Sequence, residues 1–482
     1  MPLLQYLRKY SLVIFIVLPY IAADMILVRR ELYFLNLLPF VLFLIYLALA
    51  RIDLLYFLII LFTPLSVQFI EFFPGSPVDF AIPTEPMLVS VMLVLFYRSV
   101  QSGWFKNAIF NHPVSYAVFF YLFWLVVTTV TSTMPLVSLK FLLARIWFIT
   151  VYYFLAILVF RKDRHNIRIF IWCYSVPMLL VIGYSLYRHL GYGLSDKDAA
   201  HFVMNPFFRD HTSYGAILAM LFFAMGSLVL FRTSGFLKKS LLWGVFILLS
   251  LALILSYTRA AWISVLFGFG VLVLTLLKIR FRYIFLLGMG VMFYFTGNRT
   301  EIIQKMEHNR QVSSASLGEH VKSISNITTD ESNLERINRW NAALRMFGER
   351  PVFGWGPGTY MFRYAPFQRS AEKTGISTDF GNLGNAHSEY IGPLAESGVL
   401  GSFSFLLIGV ISLVTGFRVY SRISDKRLKM LTLGLILGFI TYLVHGTLNN
   451  FLDTDKASAL FWGFTAVFVA LDLSLEELDT QN

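Results

Sequence analysis

The sequence predicts an all-α polytopic membrane protein with about 12–14 transmembrane helices and one large polar loop containing short helices. Three observations carry that prediction. The 482 residues are 57% hydrophobic and only 14% charged, whereas soluble domains carry about a quarter charged residues. The apolar residues gather in runs of about 17–20, the length that crosses a bilayer core as a helix. The ten-residue alternation of barrel strands is absent, and lone strands cannot satisfy their backbone in lipid.

In chain order the apolar runs cover 11–28, 31–50, 54–70, 87–100, 114–133, 141–160, 169–187, 213–231, 241–256, 260–277, 283–297, 399–417, 430–449 and 456–474. The run at 87–100 is short, and 31–50 follows its neighbour almost without a turn, so the count spans a range. The first run lacks a small-residue cleavage site and precedes further spans, so it reads as the first helix rather than a cleaved leader. The chain divides into a helix bundle (1–297), a large polar loop (298–398) and C-terminal helices (399–482). No internal repeat is visible. The single cysteine, Cys173, excludes an intrachain disulfide and a thiol metal cage.

A net charge of +12 would suggest a nucleic-acid partner in a soluble domain. Here most basic residues fall in short turns between apolar runs, which is a topology signal. The turns Arg161–Arg164, Arg232–Lys239, Lys278–Arg282 and Arg418–Lys429 are separated by even numbers of spans and so share one side, expected to be cytoplasmic. Arg8 and Lys9 agree if there are fourteen spans; Arg29 and Arg30 do not. The opposite face then receives 188–212, Ser256–Ala260, 298–398 and 450–455. These segments carry Arg209, Arg259, His387 and the Asp453/Asp455 pair.

Within the loop, Ser332-Asn333-Leu334-Glu335 has capping-box spacing. Leu334, Ile337, Leu344 and Phe347 follow at helical intervals, and Gly348 and Pro351 close the helix. Arg336 and Trp340 are i, i+4 neighbours on its flank. Gly354-Trp355-Gly356-Pro357-Gly358 is a tight turn by composition. From Ser388 the chain turns helical, with Pro393 early, and stops at Gly398.

Several residues could carry chemistry. Arg259 joins two apolar runs with almost no loop, where a charge costs about 2.5–3.5 kcal/mol on insertion scales and needs an anionic partner. Arg209 sits just before an apolar run. Both also fit a plainer role, snorkelling to headgroups, with Arg209 paired to Asp210. Arginine suits a diphosphate because it stays protonated and donates through a planar fork. His387 can accept a proton from a sugar hydroxyl near neutral pH, or simply start a helix. No second ligand lies at metal spacing, so neither a metal nor another cofactor is expected. Asp453-Thr454-Asp455 reads as a loop cap.

Together these residues resemble the O-antigen ligase superfamily, which also contains O-antigen and exopolysaccharide polymerases. His387-Ser388, nine residues, then Gly398-Val399-Leu400-Gly401 matches the ligase pattern. Arg336 to Trp340 and Pro351 to Gly358 are similar to the stretch before that histidine. Tyr257-Thr258-Arg259-Ala260 resembles the family's arginine at a helix start, and Arg209 lies where another arginine is expected. Asn449 to Lys456 is also family-like. The resemblance covers roughly residues 205–475.

It implies inverting, metal-independent glycosyl transfer at the periplasmic face of the bacterial inner membrane. The donor would be a glycan on undecaprenyl diphosphate. The acceptor would be lipid A core for a ligase, or another lipid-linked glycan for a polymerase. By the same resemblance His387 activates the acceptor hydroxyl, Arg209 and Arg259 hold the diphosphate, and Arg336 is a third contact. A transporter of lipid-linked glycans is the rival of another class. It would place charges at the midplane with internal repeats, whereas these gather at one surface.

Overall fold

The computed structural model describes residues 15, 17–32, 34–76, 79–102, 108–230, 235–279, 331–378 and 384–481. The expected run at 283–297 and the first part of the large loop lie outside the described residues.

The molecule is a helical bundle, as the composition requires. The helices are α1 (Val17–Val28), α2 (Leu38–Ala50), α3 (Ile52–Phe62), α4 (Thr84–Ser102), α5 (Pro113–Val130) and α6 (Pro135–Lys162). They continue with α7 (His165–Tyr192), α8 (His211–Val229), α9 (Phe236–Leu255), α10 (Arg259–Leu276) and α11 (Glu331–Glu349). The last three are α12 (Ile391–Arg422), α13 (Lys426–His445) and α14 (Asp455–Gln481). Nine of the described helices are long and apolar enough to cross a membrane, namely α5–α10 and α12–α14. The protein is therefore a multi-pass membrane protein. Among the described residues the strands are a two-residue antiparallel pair, Val67 opposite Ile82 and Gln68 opposite Ala81.

α14 runs through the middle. Leu460, Phe461, Phe464, Val467 and Phe468 are all fully enclosed, as expected of a helix apolar on every face. α9 is peripheral and turns Trp243, Ile247, Leu251 and Ile254 outward, a surface suited to lipid tails. α8 and α13 approach closely because α13 carries glycines at the contact. A Cβ on Gly434 would lie 2.4 Å from the Ser227 side chain, and one on Gly438 2.6 Å from the Met220 carbonyl. Small residues let helix backbones meet in this way.

Ion pairs mark one end of the bundle. Lys162 binds Asp53 at 2.9 Å, Arg161 binds Glu477, and Arg422 binds Asp479. Buried Asp472 accepts from His112 at 3.2 Å and Arg418 at 2.6 Å. The basic turns at 161–164 and 418–429 thus share an end, as the parity of the sequence requires. The opposite end gathers the turn after α5, the α7–α8 connection, the start of α10, α11 and the α13–α14 turn. Thr133 of the first donates its backbone N–H to Trp355 O at 2.9 Å. Tyr257 donates to Leu194 O at 3.0 Å.

Gly434→Leu should overpack the α8–α13 contact and cost about 1–3 kcal/mol or more. Thermal unfolding in detergent should show a clear fall in Tm; an unchanged Tm would contradict this packing.

Candidate active site

Two motif segments far apart in sequence form one backbone unit at this end. Trp355 N–H donates to Ala395 O at 3.0 Å, Gly356 N–H to Glu396 O at 2.8 Å, and Val399 N–H to Pro351 O at 3.0 Å. Gly398 has φ +69° and interrupts α12; a Cβ there would lie 2.0 Å from Val352 O. The helix starting at Ile391 therefore does stop at Gly398, as expected, but resumes at once to form the span. Trp124 of α5 donates its indole N–H to Ser397 O at 2.7 Å and stacks on Phe353. Ser138 of α6 holds Pro357 O at 2.8 Å.

α11 begins at Glu331, so Ser332 lies inside its first turn rather than before it. Its buried face carries a residue that the sequence reading passed over. Arg339 binds Glu335 at 2.6 Å and the Asn385 carbonyl at 3.3 Å, with its guanidinium over the Tyr364 ring. A Cβ on Gly384 would strike that guanidinium. Arg339 thereby fixes Gly384-Asn385, and Asn385 Oδ1 accepts from the His387 N–H at 3.0 Å. His387 itself sits at φ +46°, a conformation uncommon outside glycine and typical of functional sites.

After His387, Ser388 Oγ accepts from the N–H groups of Tyr390 and Ile391, which fixes the turn that leads into α12. Glu389 N–H donates to Gly446 O at 2.8 Å. Glu389 Oε1 accepts from Tyr442 OH at 2.6 Å, Phe451 N–H at 2.8 Å and Leu452 N–H at 2.9 Å. Burial pushes this carboxyl above its ordinary range, and Asp453 adds to the rise, while Arg145 opposes it. Arg145 comes from α6, is 5% exposed, and donates to Asp453 at 2.6 Å and to the Leu452 carbonyl. Asp453 thus pairs with α6 rather than capping its own loop. Asp455 accepts from Ser66 at 2.6 Å and Thr84 at 2.5 Å, and Thr454 is the residue that closes the turn on Phe451 O.

Of the residues singled out in the sequence, Arg336 lies near His387, and Arg259 is related to Arg336 through His211. Arg336 acts electrostatically on His387, and Arg336 and Arg259 both act on His211. The starts of α8 and α10 are tied, since Thr258 Oγ1 donates to His211 O at 2.7 Å. Asp210, which caps α8 through Ser213 N–H at 2.7 Å, is the carboxylate that acts on His387 from this side. Arg209 points elsewhere: it is exposed and binds Asp79 at 2.5 Å. His211, His445 and Arg145 were missed. An ionisable residue within an apolar run is itself a functional flag, and that rule picks out Arg145 and His445. Among the described residues no three histidine, cysteine or carboxylate side chains are grouped to hold a metal ion.

His387 is half-buried. Burial, then Arg339 and Arg336, lower its pKa to about 4, against weaker opposing pulls from Asp210 and Glu335. Its imidazole is therefore neutral at pH 7 and able to take a proton.

This structure defines an integral membrane protein whose polar, arginine-rich site closes one end of its helical bundle. Residues 244–406 match the family model described as O-antigen ligase, a span that includes Arg259, Arg336 and His387 but stops short of Arg209. This part of the chain is similar to that family, whose general chemistry is glycosyl transfer of ligase or polymerase type. No curated protein matches the sequence.

Two outcomes follow from the geometry. Gly398→Ala should displace the Pro351–Gly356 turn, cost about 1–3 kcal/mol and depress activity at least tenfold; a fully active variant would contradict the pairing of the two segments. The acid limb of kcat/KM should lie near pH 4 rather than 6.5, because this limb reports the free enzyme's base. The depressed pKa also means that stability from this group is present above pH 6.5 and is lost as pH falls through about 4. An acid limb at 6.5 would show an exposed, ordinary imidazole.

Proposed function

We propose that the protein transfers an O-antigen glycan from undecaprenyl diphosphate to lipid A core at the periplasmic face of the bacterial inner membrane. What supports this reading is that Arg336 acts on the neutral His387 and, together with Arg259, on His211, at the end of the bundle away from the basic turns. Lys- and Arg-rich short turns stay cytoplasmic, so the site end faces the periplasm. In this reading residues 298–398 are the periplasmic catalytic insert between the helix bundle of 1–297 and the C-terminal helices of 399–482.

The acceptor hydroxyl oxygen attacks the anomeric carbon, and its proton passes to the His387 imidazole. The bond from that carbon to the diphosphate oxygen breaks, and undecaprenyl diphosphate leaves with the electron pair. Attack opposite the leaving group inverts the anomeric centre. Arg259 and Arg336 neutralise the charge that develops on the diphosphate, a role otherwise given to a metal ion. Arg209, held outward by Asp79, is the outer contact for the donor.

His387→Ala should lower transfer by 10²–10⁴-fold, about the worth of a general base, and Arg259→Ala by about 10²–10³-fold. EDTA should leave wild-type transfer unchanged. Purified protein with a lipid-linked glycan donor and lipid A core checks all three; activity retained by His387→Ala or abolished by EDTA would overturn the mechanism. The same superfamily contains polymerases, and gene deletion separates the two. Loss of a ligase leaves full-length polymer on the carrier lipid and bare core on lipid A. Core bearing a single repeat would make the protein a polymerase.

A further inference from the structure

A cavity of about 310 Å³ opens at the end of the bundle that carries the basic turns. It lies where α2 gives way to α3, with α4 and α6 as its other walls. Leu95, Leu155 and Val159 are buried and form its floor. Three cationic side chains line it: Arg51 from the α2–α3 elbow, Arg98 from α4 and Lys162 from the end of α6. They face one carboxylate, Asp53. Basic residues at a membrane edge ordinarily snorkel one by one to the headgroups. Here three of them, from separate elements, share a single cavity with an apolar floor.

The charges in it do not balance. Lys162 donates to Asp53 Oδ2 at 2.9 Å and Arg51 Nε to Asp53 Oδ1 at 3.4 Å, so both cations share the same carboxylate. Asp53 Oδ1 also accepts from the Leu54 N–H at 3.0 Å. Among the described residues Arg51 and Lys162 make no other side-chain hydrogen bond. An ammonium offers three N–H groups and a guanidinium five. The side chains of Lys162 and Arg51 are 67% and 55% exposed, so N–H groups of both stay open to a ligand. Arg98 is half-buried and donates to Leu49 O, in the last turn of α2, which holds it at the wall.

A cavity with this lining takes an anion with several acceptor oxygens. Its apolar floor suits one that carries hydrocarbon. The flanking helices turn Tyr46 and Leu49 of α2 and Phe96 and Val100 of α4 outward, surfaces suited to acyl chains. Basic pockets between membrane helices bind lipid headgroups through the same chemistry.

We propose that this cavity is a site for an anionic phospholipid: Arg51, Arg98 and Lys162 hold the headgroup phosphate, and the chains lie along the outward faces of α2 and α4. The lipid bridges the α2–α3 elbow to α6, the helix that carries Arg145 at its opposite end. The site lies at the other end of the bundle from His387, and its occupancy is independent of the reaction proposed above.

The test uses the full-length protein, purified in detergent and stripped of lipid, with binding read by native mass spectrometry and folding by thermal unfolding. The first dioleoylphosphatidylglycerol should bind about tenfold more tightly than dioleoylphosphatidylcholine, the worth of one charge-assisted bond, and should raise Tm. The Arg51→Gln/Lys162→Gln double variant should lose most of this preference. Asp53→Asn should keep or strengthen it, because the carboxylate competes with the phosphate for the same two cations. Ion pairs that only hold the fold would make both changes act alike, so parallel loss in the two would overturn the site. Equal binding of the two lipids, or no retained lipid, would overturn it as well. Full displacement by excess inorganic phosphate would make the ligand a free anion and exclude the phospholipid. Should the double variant not fold, Lys162→Gln alone should lower the preference about threefold to fivefold, and an unchanged preference would overturn the site.

Discussion

The site depends on one carboxylate. Glu389 lies two residues after His387 and gathers the Tyr442 hydroxyl and the Phe451 and Leu452 N–H groups on a single oxygen. It thereby binds the histidine-bearing turn to the link between α13 and α14. Arg145 reaches the same link from α6 through Asp453 and the Leu452 carbonyl. Taking charges out of water is expensive, and such a cluster persists only when each member is matched by others. Here the matching groups come from α6, α12, α13 and the turn before α14. Position of the imidazole is thus a property of the whole bundle end, not of the local turn.

A second layer of constraint lies above the first. The Pro351–Gly358 turn is hydrogen-bonded to Ala395, Glu396 and Val399 and clasped by Trp124, Thr133 and Ser138 of the first half of the chain. The insert also has its own small core of Ala343, Met346, Tyr360, Tyr364, Ala386 and Ala395. A core of that size could not order the segment alone; its backbone bonds to the bundle supply the rest. The left-handed glycine at 398 is the place where the two layers touch, because only a residue without a side chain admits the Val352 carbonyl.

Much of this was legible in the sequence. Run length and sparse charge gave a helical membrane protein, and the parity of basic turns assigned Arg209, Arg259, His387 and the Asp453/Asp455 pair to one face. The glycines of 354–358 and 398 flagged turns, though not that the two segments bond to each other. That pairing joins residues about forty apart, and no local pattern encodes it. Arg145 and His445 were hidden by the hydropathy of their neighbours, which absorbs a lone polar residue into a span. Arg339 was overlooked because helical spacing alone does not say which flank of α11 is buried. Arg209 was legible as an interfacial arginine, but the Asp79 that holds it is distant in sequence.

Arg336 acts electrostatically on His211, His387 and His445, disfavouring the protonated form of each. The most direct measurement is photocrosslinking of the full-length protein with a benzophenone-bearing isoprenyl diphosphate, read by mass spectrometry. Labels on peptides spanning 205–215, 256–262, 331–349 and 384–391 would support convergence on one diphosphate site. Labels confined to the end bearing Asp53, Lys162 and Arg418 would contradict it.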